Sequence, residues 1–199
     1  MDPQDYFVAF SGLSKSYCIG TVDIVNSTRT CAELPTIKVC KYYEIFLNSM
    51  SKVLRRFGGF SVKNVGDSLL YFFPESSKPN RKCGFIQCLE CSLAMIQVRK
   101  DLNKILNEEK LPEVNYRVSA DYGIALIMKN DNADSFDLFG PPVNMCCKIN
   151  ILAPSNGIVI GGDLYQVVKH FEDYRFAAAG ECPIGLKMSY PVYSVAVKC

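Results

Sequence analysis

The chain is poor in the features that most quickly assign a protein to a class. It holds one histidine among 199 residues, and its formal charge of +2 is close to zero. No run approaches the ~18 consecutive apolar residues that cross a membrane. A near-neutral chain carries no bulk field to draw nucleic acid or an anionic bilayer, so neither is expected as a partner, and any ligand must be found from a local site. The N-terminus, Met1-Asp-Pro-Gln-Asp5, lacks the basic start and apolar centre of a secretory signal, and a cytoplasmic location is expected. The sole histidine, His170, follows a helical stretch near its end and is given no catalytic role. No histidine is spaced to complete a zinc set with Cys83, Cys88 and Cys91, whose spacing fits the inner side of a helix. Linkers and internal repeats are also lacking, so residues 1–199 are expected to form one domain.

What is present is the composition of an ordinary globular protein, 49% hydrophobic and 21% charged. Ten cysteines in a chain of this length read as reduced thiols, because disulfide frameworks belong to short exported chains with little core. The β-branched run 17–25 reads as a buried strand ending near Asp23, and a carboxylate there is costly unless it is paired or binds a metal. Asn26, Ser27 and Thr28 supply capping side chains for a following helix, whose free amides could take an anion. Apolar residues at Tyr43, Phe46, Leu47, Met50, Val53, Leu54 and Phe57 recur at three-and-four spacing, so a helix is expected over 37–57, stopped by Gly58-Gly59.

The stretch 57–73 reads as a β-hairpin about a tight Asn64-Val-Gly66-Asp67 turn, with Gly66 free to take φ > 0 and a charged pair, Lys63 and Asp67, at the tip. A second helix is expected over 83–107, then a pair of strands, 115–123 and 124–128, hinged about Gly123, and a polar turn over 129–135. Gly140-Pro-Pro opens a helix that carries Asn144 and Lys148 one turn apart on one face. A short strand over 157–161, a short helix over 163–169 and two strands, 174–178 and 191–197, complete the chain. This order suits the α+β class: a ferredoxin-like sandwich, a mainly antiparallel sheet with helices packed on it.

Three motifs, Asp23-Ile-Val-Asn-Ser-Thr28, Gly58-Gly-Phe-Ser-Val-Lys63-Asn-Val-Gly66-Asp67 and Asp137-Leu-Phe-Gly-Pro-Pro-Val-Asn144, fall in an order that resembles the catalytic domain of class III adenylyl and guanylyl cyclases. The similarity spans about 17–197. The Gly-Gly-Asp/Glu-Glu-Phe signature of diguanylate cyclases is absent from the hairpin. The resemblance implies a site for two divalent cations, Mg²⁺ or Mn²⁺, held by Asp23, the carbonyl of Ile24 and Asp67, with the amides of Asn26, Ser27 and Thr28 on the triphosphate. It implies that Lys63 and Asp137 read the base with a polarity that fits ATP, that Asn144 orients the ribose, and that a head-to-tail homodimer forms two equivalent sites, with the metal-binding aspartates from one subunit and the base readers and Asn144 from the other. Two departures stand out. Lys148 replaces the family's transition-state arginine, and Ile184-Gly185, with Lys187 nearby, replaces a phosphate-binding Lys-Gly. The expected function is therefore adenylyl cyclase of low activity, the alternative being a degenerate cyclase-homology domain that binds nucleotide and dimerises as a sensor.

Overall fold

Alternation with period two along neighbouring strands gives the sheet two apolar faces, and helices are needed on both. The computed structural model describes residues 10–129, 136–185 and 188–198. The chain runs β1 (Phe10–Ile24), α1 (Ser27–Ala32), α2 (Thr36–Arg56), β2 (Phe60–Val65), β3 (Ser68–Phe73), α3 (Cys83–Gln97), α4 (Arg99–Glu108) and β4 (Tyr116–Lys129). It continues through β5 (Phe136–Phe139), α5 (Pro141–Ile149), β6 (Ile158–Gly161), α6 (Gly162–Val168), β7 (Tyr174–Pro183) and β8 (Ser189–Val197). The sheet has the order β2-β3-β1-β4-β6-β8-β7, with β5 added along β4. All pairings are antiparallel except that of β4 with β6. The α+β class with a mainly antiparallel sheet is as expected. Among the described residues no helix is long and apolar enough to cross a membrane.

Cys18, Val22, Tyr71, Phe73, Val118 and Ala120 point to one face and pack with Phe46 and Met50 of α2, Phe85 and Met95 of α3, and Leu102 and Leu106 of α4. The opposite face carries Tyr17, Ile19, Leu70 and Phe72, which pack with Leu138 of β5 and Cys146 of α5. Burying a side chain of this size contributes about 1.5–3 kcal/mol, so each layer is held by its own apolar cluster.

Several elements differ from their sequence reading. The stretch 115–128 is one strand, because Gly123 stays in the ladder opposite Tyr17 instead of turning. The helix expected over 83–107 is two, separated at Val98, and both halves keep an inward apolar row. Asp137 lies in the short strand β5 rather than in a helix lead-in. Asn26 does not cap α1 with its side chain; it takes a left-handed conformation (φ 58°) in which its carbonyl accepts the Thr30 N–H at 3.1 Å. Cys88 and Cys91 are buried on α3 as read, whereas Cys83 is exposed, and the nine described cysteines are free thiols. The polar turn placed at 129–135 falls almost wholly outside the described residues, as does Lys187.

Candidate functional site

The strand register converts scattered motif residues into rows on one face of the sheet. Val65 of β2 lies opposite Ser68 of β3, and Asp23 of β1 lies opposite Arg117 of β4. The β1–β3 ladder ends at Val22 and Leu69, so Asp23 and Ser68 occupy the next cross-strand positions, and the Ser68 hydroxyl donates to the Asp23 carboxylate. One row along, Lys63, Leu70, Thr21 and Ser119 stand side by side. These two rows floor a cleft of about 300 Å³, walled by Val143 and Cys147 of α5 and by Asn150 and Ile151 just beyond it.

Helix α5 is pinned beside the cleft by a buried polar network. The Ser119 hydroxyl donates to the Cys146 carbonyl at 2.7 Å, and the Asn150 amide donates to the Ser119 oxygen at 3.0 Å. The helix begins at Gly140, whose φ of 151° and position against Ile124 suit only glycine: a Cβ there would lie 2.5 Å from the Ile124 oxygen.

The hairpin turn is tighter than the sequence suggested. Val65 pairs with Ser68, leaving Gly66 (φ 62°) and Asp67 as the two loop residues. Lys63 does not sit at the tip with Asp67. It stands on β2 and forms an ion pair with Asp137 of β5, whose other oxygen accepts the Leu138 N–H at 2.8 Å. An exposed pair of this kind contributes about 0–1 kcal/mol, so its stabilising value is small.

Asp23 is half-buried, not fully buried as the strand pattern implied. Burial raises its pKa, the nearby Asp67 charge adds to that, and the Ser68 hydrogen bond and the Arg117 charge oppose it. One carboxylate oxygen of Asp67 is buried without a hydrogen-bond partner. Two adjacent carboxylates, one with an orphaned oxygen and the other desolvated, are a donor set suited to a hard divalent cation. The carbonyl of Ile24 follows directly in the chain. Arg117 was missed from sequence; it is half-buried with its Nε buried and unpartnered, directly across from Asp23. The signal was available as the polar alternation Arg117, Ser119, Asp121 between Val118, Ala120 and Tyr122. Cys147 was also missed: its thiol is pulled down to about 7, first by a hydrogen bond with Cys146 and then by the Lys63 charge, against burial and Asp23.

Of the acidic and basic residues expected in the site, Asp23 and Lys63 line the cleft, with Asp67 a charged neighbour of Asp23 and Asp137 the ion-pair partner of Lys63. Asn144 and Lys148 do not line it. Both are exposed on the flank of α5 next to the cleft-lining Val143 and Cys147. Asn26 and Thr28 are exposed at the start of α1, Ser27 is half-buried, and Ile184 is partly exposed beyond β7.

A family model described as the adenylate and guanylate cyclase catalytic domain matches residues 13–196. Among solved structures, the adenylyl cyclase CyaB of P. aeruginosa superposes with a TM-score of 0.81 at 21% identity, covering 94% of this chain and 96% of the other. The guanylate cyclase domain of RhGC from Catenaria anguillulae, solved in complex with GTP, gives 0.78 at 17% identity, covering 94% and 100%. Two curated relatives are a cytidylate cyclase of Escherichia coli, 26% identical over 162 residues, and an adenylate cyclase of Podospora anserina, 24% identical over 166. Each alignment covers 77% of this chain but only 36% and 7% of those relatives' own lengths.

Proposed function

Because the chain belongs to the adenylate and guanylate cyclase catalytic domain family, we propose that it is an adenylyl cyclase, forming cyclic AMP and pyrophosphate from ATP. In that reaction the ribose 3′-oxygen bonds to the α-phosphorus, the bond from that phosphorus to the pyrophosphate oxygen breaks, and the hydroxyl proton is lost. Mg²⁺ or Mn²⁺ bound by Asp23, Asp67 and the Ile24 carbonyl would acidify the 3′-hydroxyl and neutralise the leaving pyrophosphate. The Arg117 guanidinium, with its unpartnered Nε, supplies a cation for the triphosphate, and the amides of Asn26, Ser27 and Thr28 are the second candidate for it.

The observation that carries the reading is the Lys63–Asp137 pair beside the cleft. An ammonium donates to an adenine ring nitrogen and a carboxylate accepts from its exocyclic amine, whereas guanine presents the reverse pattern. Separating an exposed ion pair to admit the base costs about 0–1 kcal/mol, which two base contacts readily offset. Asn144 and Lys148 are exposed and do not line their own chain's cleft. Their exposure supports a homodimer in which α5 of one copy faces the carboxylates of the other, Asn144 orienting the ribose and Lys148 meeting charge on the α-phosphate.

A second reading, nucleotide binding without turnover, is favoured by Lys148 itself: a lysine offers a point charge where an arginine offers a planar fork. The relatives include adenylyl, guanylyl and cytidylyl enzymes, so the test is a panel. Purified protein is incubated with ATP, GTP, CTP or UTP and Mn²⁺ or Mg²⁺, and cyclic product is measured. Cyclic AMP as the main product is expected. A different cyclic nucleotide would overturn the base assignment, and ATP binding without any product would replace the enzyme by the sensor.

A further inference from the structure

The Asp23 carboxylate sits at the end of β1, where the backbone ladder to β3 has already stopped, and a side-chain hydrogen bond takes over from the ladder. Ser68 follows Asp67 directly, so one two-residue turn delivers a carboxylate and, in the next residue, the hydroxyl that holds the carboxylate across the sheet. The bond joins residues 45 apart in sequence and closes the row Val65, Ser68, Asp23, Arg117.

We propose that Ser68 is a positioning residue for cation binding, fixing the rotamer of Asp23 and holding the β2–β3 turn at the distance that lets Asp67 share a cation with it. This deepens the proposed function and rests on its assignment of Asp23 and Asp67 as cation ligands. The physical basis is that the Ser68 hydroxyl is the only donor that engages the Asp23 side chain among the side-chain hydrogen bonds of the described residues, whereas the backbone of Asp23 is held on the β4 side alone. Without that donor the carboxylate is free to rotate between Arg117 and the cleft, and the hairpin tip loses its tie to β1. Partners that orient a metal-binding carboxylate in this way typically change metal affinity by about 10–100-fold when removed.

The test is Mn²⁺ affinity, read from the electron paramagnetic resonance signal of free Mn²⁺ in the presence of saturating non-cyclisable ATP analogue. Wild type is compared with Ser68→Ala, Ser68→Thr and Asp23→Ala, and thermal midpoints are recorded for each. Ser68→Ala is expected to weaken Mn²⁺ binding about tenfold with the thermal midpoint unchanged, Ser68→Thr to restore it, and Asp23→Ala to abolish it. Wild-type Mn²⁺ affinity in Ser68→Ala, alongside loss in Asp23→Ala, overturns the role of Ser68 and leaves the cation site standing. Wild-type affinity in Asp23→Ala overturns both. A fall in Ser68→Ala that tracks a lowered thermal midpoint, or that Ser68→Thr does not restore, also overturns the proposal.

Discussion

Two aspartates on the same face of the sheet, Asp121 and Asp23, are treated in opposite ways. Asp121 of β4 lies opposite Ile19 at the packed end, is 1% exposed, and accepts hydrogen bonds from the Tyr122 and Leu164 N–H groups and from the Tyr190 hydroxyl. Asp23 of β1 lies at the open end, half-buried, beside a second carboxylate, with a single hydroxyl donating to it. A carboxylate enclosed by three donors has spent its acceptor capacity on the fold. One left with free lone pairs next to an orphaned oxygen of Asp67 keeps that capacity for a ligand. Asp121 is closed over by Leu164 of α6 and Tyr190 of β8, whereas Asp23 lines the open cleft.

Breaking the open end should have the largest functional effect. Asp23→Ala or Asp67→Ala is expected to lower metal-dependent nucleotide binding by more than about 100-fold without lowering the thermal midpoint, as seen by calorimetric titration and thermal denaturation. Retained binding in both single variants would remove the distinction. The packed end should respond in the opposite currency. Ile19→Ala, which empties a fully buried site in the α5 cluster, is expected to cost about 2–5 kcal/mol in denaturant unfolding while nucleotide affinity per folded molecule is kept.

Lys148→Arg is expected to raise turnover by up to about tenfold with little change in the ATP dissociation constant, and Lys148→Ala to abolish turnover while ATP still binds. A change confined to affinity would place Lys148 in ground-state binding instead. A pH-dependent effect is expected from protonation at the packed end. Burial, with the Asp163 charge adding, pushes Asp121 up to about 6 against its three donors. Because that lies above the ordinary carboxylate value near 4, its contribution to stability is complete below about pH 4 and is lost as pH rises through about 6. The difference in unfolding free energy between wild type and Asp121→Asn should therefore shift against wild type by about 2–3 kcal/mol between pH 4 and 7. A pH-independent difference would mean that Asp121 titrates normally.

Much of this division was legible in the sequence because its carriers are local. The hairpin with Gly66, the amphipathic α2, the Gly140-Pro-Pro helix start and the cost of Asp23 in a strand are all properties of short windows. The misreadings share one cause, which is that the deciding contact is remote. Gly123 looks like a hinge until the ladder with β1 holds it extended, and Asp137 looks like a helix lead-in until β4 pairs with it. Arg117 looks like any exposed strand arginine until register sets it opposite Asp23, and Lys63 looks like the partner of Asp67 until β5 brings Asp137 to it.

The most direct test of the open end as a cation and nucleotide site is anomalous diffraction from crystals grown with Mn²⁺ and a non-cyclisable ATP analogue. A manganese peak is expected within coordination distance of both the Asp23 and Asp67 carboxylates, with the triphosphate adjoining it. Nucleotide bound in the cleft with no manganese at either carboxylate, or manganese and nucleotide bound elsewhere on the chain, would contradict it.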